Sequence, residues 1–534
     1  MRSLRDVVRA AALVAAIGGA AAGAAAQTES DAWADFGESL EVRVVNVEAV
    51  VEDWRGRRVD GLTAGDFRLF VDGEEVPIAF FSEVRGGRIV EGAPAAGTAP
   101  AAADAEVGTQ VLVFVDDAFA LRRDRDRVLA RLAEDLGALA PGDRVAVVAF
   151  DGRTVEPLLD WSGDRGAIER ALAAAAERPA FGLRRRLRLA GGLPLIEAVR
   201  DPAELHELEL AGDLDRLVAA ASASLRAAGR PEGRRVMLLL SGGWPFHPGA
   251  VPLDVRFSHL RGTSIAEETY APLVDAANLL GYTLYPVDVP GFLPSDGIDA
   301  EHAAPPRRTA LSDHLFGEEA AHRALDHLAR ETGGRSLLDG RRSEALAAVT
   351  ADLEQYYWLG FEPAVRDDDS RREIRLEVAG RALRVRARDS YFDLSRASEQ
   401  ALVVEGALLF GGGRAAGGVL DVELGEPEPR NRRVARVPVR VSFPAAVLEA
   451  VPSADGLRWR VAGELRVAAL DVSSRLSQVP VVPIELELAE PPRAGERLTW
   501  EGTLELRRVE QVVAVSLADR VSGRTVTSRL SATP

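Results

Sequence analysis

Two aspartates, Asp116 and Asp117, follow the continuous apolar run Val111 to Val115, and a serine, Ser241, follows a second run, Val236 to Leu240. Polar groups just past the ends of buried strands are where parallel sheets concentrate their chemistry. A carboxylate there can hold a divalent cation if further hard oxygens converge on it. A serine there can act as a nucleophile if a base stands beside it. The sequence supplies no Gly-x-Ser-x-Gly elbow, and Ser241 runs into Gly242-Gly243 with no evident histidine partner. The seven histidines, His206, His247, His259, His302, His314, His322 and His327, contain no His-Glu-x-x-His pair. His322 and His327 are spaced poorly for sharing one helix face. Asp124 and Asp126 stand in an Arg-Asp-Arg-Asp-Arg run at a helix start and read as ion-paired surface; Asp367 to Asp369 read as a solvated turn. Trp244 and Phe246 fall in the loop after the Ser241 strand, where aromatics either anchor a protein interface or pack under a neighbouring loop.

Composition narrows the chemistry further. The chain has no cysteine and no lysine, which removes disulfides, thiolate nucleophiles, zinc–cysteine sites, Schiff bases and a Walker-type phosphate loop. Its 82 acidic residues against 65 basic ones give a net charge of −17. That balance argues against nucleic acid and against an anionic membrane surface as partners. At 534 residues, about three or four domains are expected.

The elements that must position these residues follow in order along the chain. Arg2, Arg5 and Arg9, an apolar stretch from Ala10 to Ala25 and Ala24-Ala25-Ala26 before Gln27 predict a cleaved signal peptide over 1–26. No other run is long enough to span a membrane, so no stable span is expected after cleavage. Residues 40–91 read as a small β domain, with Asp72-Gly73 as a hairpin turn and a further turn around Gly56. Residues 92–107, rich in alanine, proline and glycine, read as a flexible linker. From 108 to 361 buried strands alternate with amphipathic helices, and 289–316 reads as a long surface loop. The rhythm predicts an α/β fold: a doubly wound, mostly parallel sheet with helices on both faces. Residues 362–395 read as a β-hairpin extension. Residues 400–534 lack helical periodicity and show many short alternating strands, which predicts a β-sandwich.

The middle region resembles a von Willebrand factor A domain. The resemblance is carried by Val111-Leu112-Val113-Phe114-Val115-Asp116-Asp117, Pro141-Gly142-Asp143-Arg144-Val145-Ala146-Val147, Gly191-Gly192-Leu193-Pro194-Leu195 and Leu239-Leu240-Ser241-Gly242-Gly243. The ending Tyr356-Tyr357-Trp358-Leu359-Gly360-Phe361 and the preceding Leu62-Thr63, Asp66-Phe67 and Asp72-Gly73 are similar to a secreted bacterial subgroup of that family, over about residues 40–390. The resemblance implies an interaction role built around a metal-ion-dependent adhesion site. There an Asp-x-Ser-x-Ser run, a threonine and a second aspartate supply the oxygen shell. Here Asp116 matches the first aspartate, but Ala118 and Ala120 replace both serines, Leu193 replaces the threonine and Gly242 replaces the later aspartate. Methyl groups and hydrogen do not coordinate magnesium.

The sequence therefore reads as a non-enzymatic, periplasmic or secreted protein–protein interaction module with a degenerate metal site, needing no cofactor. Its expected interaction face comprises Asp116, Asp117, Phe119, Ser241, Trp244 and Phe246, and its partner is a protein rather than nucleic acid. The alternatives are a metal-dependent adhesin for a carboxylate-bearing ligand and an extracytoplasmic hydrolase using Ser241 or a histidine.

Overall fold

The computed structural model describes residues 44–93, 107–182, 202–231, 233–242, 264–289, 322–338, 345–363, 366, 368–380, 383–408, 420–452, 458–472, 475–477, 480–492, 495–521 and 525–534. The expected signal peptide, most of the linker, the 290–316 part of the long loop, Leu193, Trp244 and Phe246 lie outside them.

The N-terminal segment supplies five strands: β1 (Val45–Asp53), β2 (Phe67–Val71), β3 (Glu74–Val76), β4 (Phe80–Arg85) and β5 (Arg88–Ala93). Asp72-Gly73 forms the two-residue turn between β2 and β3, as the dipeptide demands. The next segment alternates: β6 (Thr109–Asp116), α1 (Arg122–Asp135), β7 (Arg144–Phe150), β8 (Val155–Ser162), α2 (Arg165–Glu177), α3 (Pro202–Ala228), β9 (Arg234–Ser241), α4 (Ser264–Leu280), β10 (Tyr282–Asp288), α5 over 322–331 and α6 (Ala345–Glu354). Every residue of β6 and β10 is buried, the signature of strands covered on both faces. Strands β10, β9, β6 and β7 pair in parallel in that order, and β8 closes the edge antiparallel to β7. Val111, Val113 and Val115 face a core with α1 and α2, while Leu112 and Phe114 face another with α3 and α4.

Then follow β11 (Gln355–Phe361), β12 (Ser370–Val378), β13 (Leu383–Arg386), β14 (Ser390–Asp393) and α7 (Arg396–Glu405). These do not form an appendix. β11 inserts between β1 and β4, giving the order β13-β1-β11-β4-β5, and β12 pairs with β2 in a second sheet, β14-β12-β2-β3. The two sheets share a core in which Phe67, Phe81 and Tyr357 pack with ring centroids 5.3–5.7 Å apart. The Tyr357 hydroxyl donates to the Val59 carbonyl at 2.8 Å and accepts from the Leu62 N–H at 3.2 Å. Asp352 in α6 is fully buried where this part meets the parallel sheet. It accepts hydrogen bonds from Tyr285, Arg335 and Arg386 at 2.6–2.9 Å and pairs with Arg58.

The C-terminal part consists of β15 (Asp421–Leu424), β16 (Glu428–Pro429), β17 (Val434–Pro444), β18 (Ala450–Pro452), β19 (Trp459–Asp471), β20 (Val481–Leu488), β21 (Arg497–Arg507), β22 (Gln511–Asp519) and β23 (Thr525–Ala532). Two antiparallel sheets, centred on β17 and on β19 with β22, bury their alternating apolar faces against each other. The opposite face of β19 and β22, through Ala468, Leu470 and Ala514, joins the core built by α3, α4 and α7.

The expected fold class is corrected by this arrangement. Among the described residues strand accounts for 47% and helix for 27%, and four of the five sheets found there are antiparallel throughout, so the protein is β-rich rather than built on a doubly wound α/β sheet. Parallel pairing between named strands is confined to β10, β9, β6 and β7. The physical reason lies in what periodicity reports. It shows how a segment is buried, not which strand it pairs with. Thus β11, which lies at the end of the region 108–361 expected to form one alternating unit, belongs to an antiparallel sheet.

Candidate functional site

Asp116 and Ser241 end neighbouring parallel strands, and the register brings them together. The Ser241 hydroxyl donates to Asp116 Oδ2 in a short hydrogen bond. The other carboxylate oxygen, Oδ1, accepts from the backbone N–H groups of Ala118 at 3.0 Å and Phe119 at 3.2 Å. Asp116 is therefore the anchor of the turn that leaves β6, a side-chain replacement for backbone pairing that aspartate makes readily. Ala118 and Ala120 sit inside that turn as packed methyl groups and bring no oxygen to it.

Asp117 turns the other way. Its Oδ1 accepts from Arg125 Nη1 at 2.5 Å and its Oδ2 from Arg178 Nε at 2.8 Å. Arg125 is fully buried and uses its remaining donors well. Nε and Nη2 reach Asp126 at 3.0 and 2.8 Å, and Nη2 also reaches the carbonyls of Ala176 and Arg178 at 2.9 and 2.8 Å. Those carbonyls lie at the C-terminal end of α2, where helices leave acceptors without intrahelical donors. Burial pushes the Asp117 carboxyl above its ordinary range, while the two guanidinium groups pull it back. The backbone closes over the pair: Phe181 N–H donates to the Asp117 carbonyl at 2.8 Å and Gly182 N–H to the Ala120 carbonyl at 3.1 Å. Any Cβ at Gly182 would stand 2.4 Å from the Phe119 carbonyl oxygen, so only glycine permits this approach.

Of the residues expected to form an interaction face, Asp116 and Ser241 are hydrogen-bonded, Asp117 and Phe119 follow in the turn and point elsewhere, and all four have 0% relative exposure. Phe119 contributes to the core under α3 and α4 instead of to a surface. Trp244 and Phe246, the aromatic part of the expected face, lie outside the described residues. Among the described residues, no group of three or more His, Asp or Glu side chains is arranged to hold a metal ion. His322 and His327 address different carboxylates, Asp288 and Glu331, each at 3.6 Å. Arg125 and Arg178, which hold Asp117, are missing from the sequence-based set. The available signal was an arginine at the start of a helix, inside an acidic–basic run that reads as surface.

No helix among the described residues is long and apolar enough to cross a membrane. No family model matches the sequence, and no curated protein matches it. Among solved structures, the chain is similar to a β-glucuronidase from Bacteroides uniformis at 13% identity and a TM-score of 0.16, covering 34% of this chain and 19% of that one. It is similar to the PilB minor pilin of Streptococcus sanguinis at 12% identity and a TM-score of 0.23, covering 58% and 77%. It is also similar to the pilus adhesin SpaC of Lactobacillus rhamnosus GG at 9% identity and a TM-score of 0.26, covering 83% and 57%. The chain spans about a fifth of the length of the glucuronidase it matches. Similarities at these TM-scores carry no argument about fold or function.

Proposed function

We propose that this chain is a non-enzymatic, extracytoplasmic module that acts by binding another protein. The observation that supports this reading is the way the strand-end polar groups are spent. Asp116 is committed to Ser241 and two backbone N–H groups, and Asp117 to two arginines, with 0% exposure for both carboxylates and the hydroxyl. A metal site needs several convergent oxygens with an open position. A serine nucleophile needs a base and an open approach for its substrate; Ser241 donates to the Asp116 carboxylate, but both residues are fully buried and that carboxylate also anchors a turn. The basic start at Arg2, Arg5 and Arg9 and the apolar stretch after it support export.

The test is calorimetric titration of the purified protein with Mg²⁺ and Mn²⁺ beside an Asp116→Ala control, together with a panel of ester, peptide and phosphate substrates. No specific heat and no turnover are expected. Metal binding lost in the control would replace this reading with a metal-dependent adhesin, and Ser241-dependent turnover would replace it with a hydrolase. Sequencing the N-terminus of the protein recovered from the cell envelope tests export, with Gln27 expected as the first residue.

A further inference from the structure

The hairpin that leaves β1 carries the most exposed large apolar side chain among the described residues, Trp54, at 66%. Its geometry is fixed from below. Asp53 Oδ1 accepts from the N–H groups of Arg55 at 2.8 Å and Arg57 at 2.9 Å, and Oδ2 accepts from Arg57 Nε at 2.8 Å. Gly56 takes φ +76°, which closes the turn, and backbone bonds from Asp53 to Arg57 and from Val59 to Val51 zip the hairpin shut. Trp54 is therefore presented by a preorganised loop. The guanidinium of Arg55 lies over its ring at 4.4 Å.

The charge around the tip is as informative as the aromatic. Among the described residues Arg55 has no carboxylate partner, and neither does Arg384, exposed on β13 directly across from Glu52. Glu52 itself is taken by Arg58 and Arg386. Arg384 stands across the ladder from Glu52, two positions before Trp54, so the tip joins an exposed tryptophan to two cations in a chain whose net charge is −17. Tryptophan and arginine are the residues most enriched where protein interfaces concentrate their binding energy, and preorganisation lowers the cost of using them.

We propose that the hairpin tip formed by Trp54, Arg55 and Arg384 is a docking site for an acidic polypeptide segment that carries an apolar side chain among its carboxylates. The carboxylates answer the two guanidinium groups, and the apolar side chain takes the ring face that Arg55 leaves open. A single segment meets only this tip, whereas an anionic membrane would meet the repulsion of the whole chain. The inference goes beyond the interaction reading by naming a place and a chemistry. The metal and substrate tests above do not bear on it.

The test measures fluorescence anisotropy of labelled synthetic peptides that alternate glutamate with leucine or phenylalanine, against versions with glutamine for glutamate, on the full chain. The acidic peptides are expected to bind, and binding should fall as salt rises. Trp54→Ala should weaken them by about tenfold or more, with Trp54→Phe partly restoring affinity and both variants keeping the wild-type melting temperature. The pair Arg55→Ala and Arg384→Ala should flatten the salt dependence. Equal affinity for the glutamine peptides, or unchanged affinity in Trp54→Ala, would overturn the proposal. So would absence of peptide binding, with or without Trp54-dependent capture of phosphatidylglycerol vesicles or polygalacturonate run alongside.

Discussion

Asp116 and Asp53 each end a strand, and each accepts two backbone N–H groups from the turn that follows. Locally they are the same device. At Asp116 the strand is central in its sheet, so the turn is covered, Phe119 is driven into the core, and the second carboxylate oxygen is consumed by Ser241. At Asp53 the strand has passed its β11 partner and stays paired with β13 to its last residue, and the turn beyond is left uncovered, so the same anchoring lifts Trp54 into solvent. An aspartate that fixes a turn is therefore neutral about function. Whether the turn is a closed joint or a presented surface is decided by what packs on the strand end.

The strongest way to break this comparison is at the closed joint. Arg125→Ala removes one of the two partners of the buried Asp117 and should cost about 3–5 kcal/mol in urea unfolding, because it leaves a buried carboxylate half-compensated. Combining it with Asp117→Ala should recover part of that loss; full additivity would show that the two do not act as a pair. Asp116→Ala strands two N–H groups and the Ser241 hydroxyl and should cost about 1–3 kcal/mol, read from the same curves. A loss near zero would place the turn's stability elsewhere.

A third aspartate sharpens the comparison through pH. Asp389 lies beside Glu331 and Arg371, near Asn278 and Ser390. Burial first, and then the neighbouring Glu331 carboxyl, push its pKa up to about 7. The folded state thus keeps a proton that the unfolded chain has lost. Stability from this group is present at acid pH and declines as pH rises from near 4 through about 7. The melting temperature should show that downward slope, and Asp389→Asn should remove it; an unchanged slope would assign it to other groups. The smallest effect is expected at the open turn. Asp53→Ala should speed hydrogen exchange at the Arg55 and Arg57 amides while leaving the global melting temperature unchanged.

Much of the local structure was legible in the sequence because burial leaves a local trace. The runs Val111 to Val115, Val145 to Phe150 and Val236 to Leu240 are buried strands, and Asp72-Gly73 is a hairpin. Helix α7 was missed: it has only ten residues, its apolar face is short, and its start is marked by Ser395 alone, whose hydroxyl accepts from the Ser398 N–H. Pairing was not legible, since nothing local in Gln355 to Phe361 says that it belongs between β1 and β4. The candidate site was legible as a meeting of Asp116 and Ser241, because both follow apolar runs. Its closure was not, because that depends on Arg125, Arg178 and Gly182, which reach Asp117 and its turn from α1 and from residues beyond α2.

The insertion of β11 between β1 and β4 sets a timetable for biogenesis. Tyr357 donates its hydroxyl to a residue 298 positions earlier in the chain. At roughly 5–20 residues per second, a ribosome needs about 15–60 s to make that intervening length. Throughout that interval the edges of β1 and β4 that β11 will occupy stay open, the condition in which strands pair with the wrong neighbour. The N-terminal sheet can be completed only after the middle of the chain has been synthesised, so assembly of this sheet runs from the later partner back to the earlier ones, and a factor that shields strand edges during synthesis would act on β1 and β4 first.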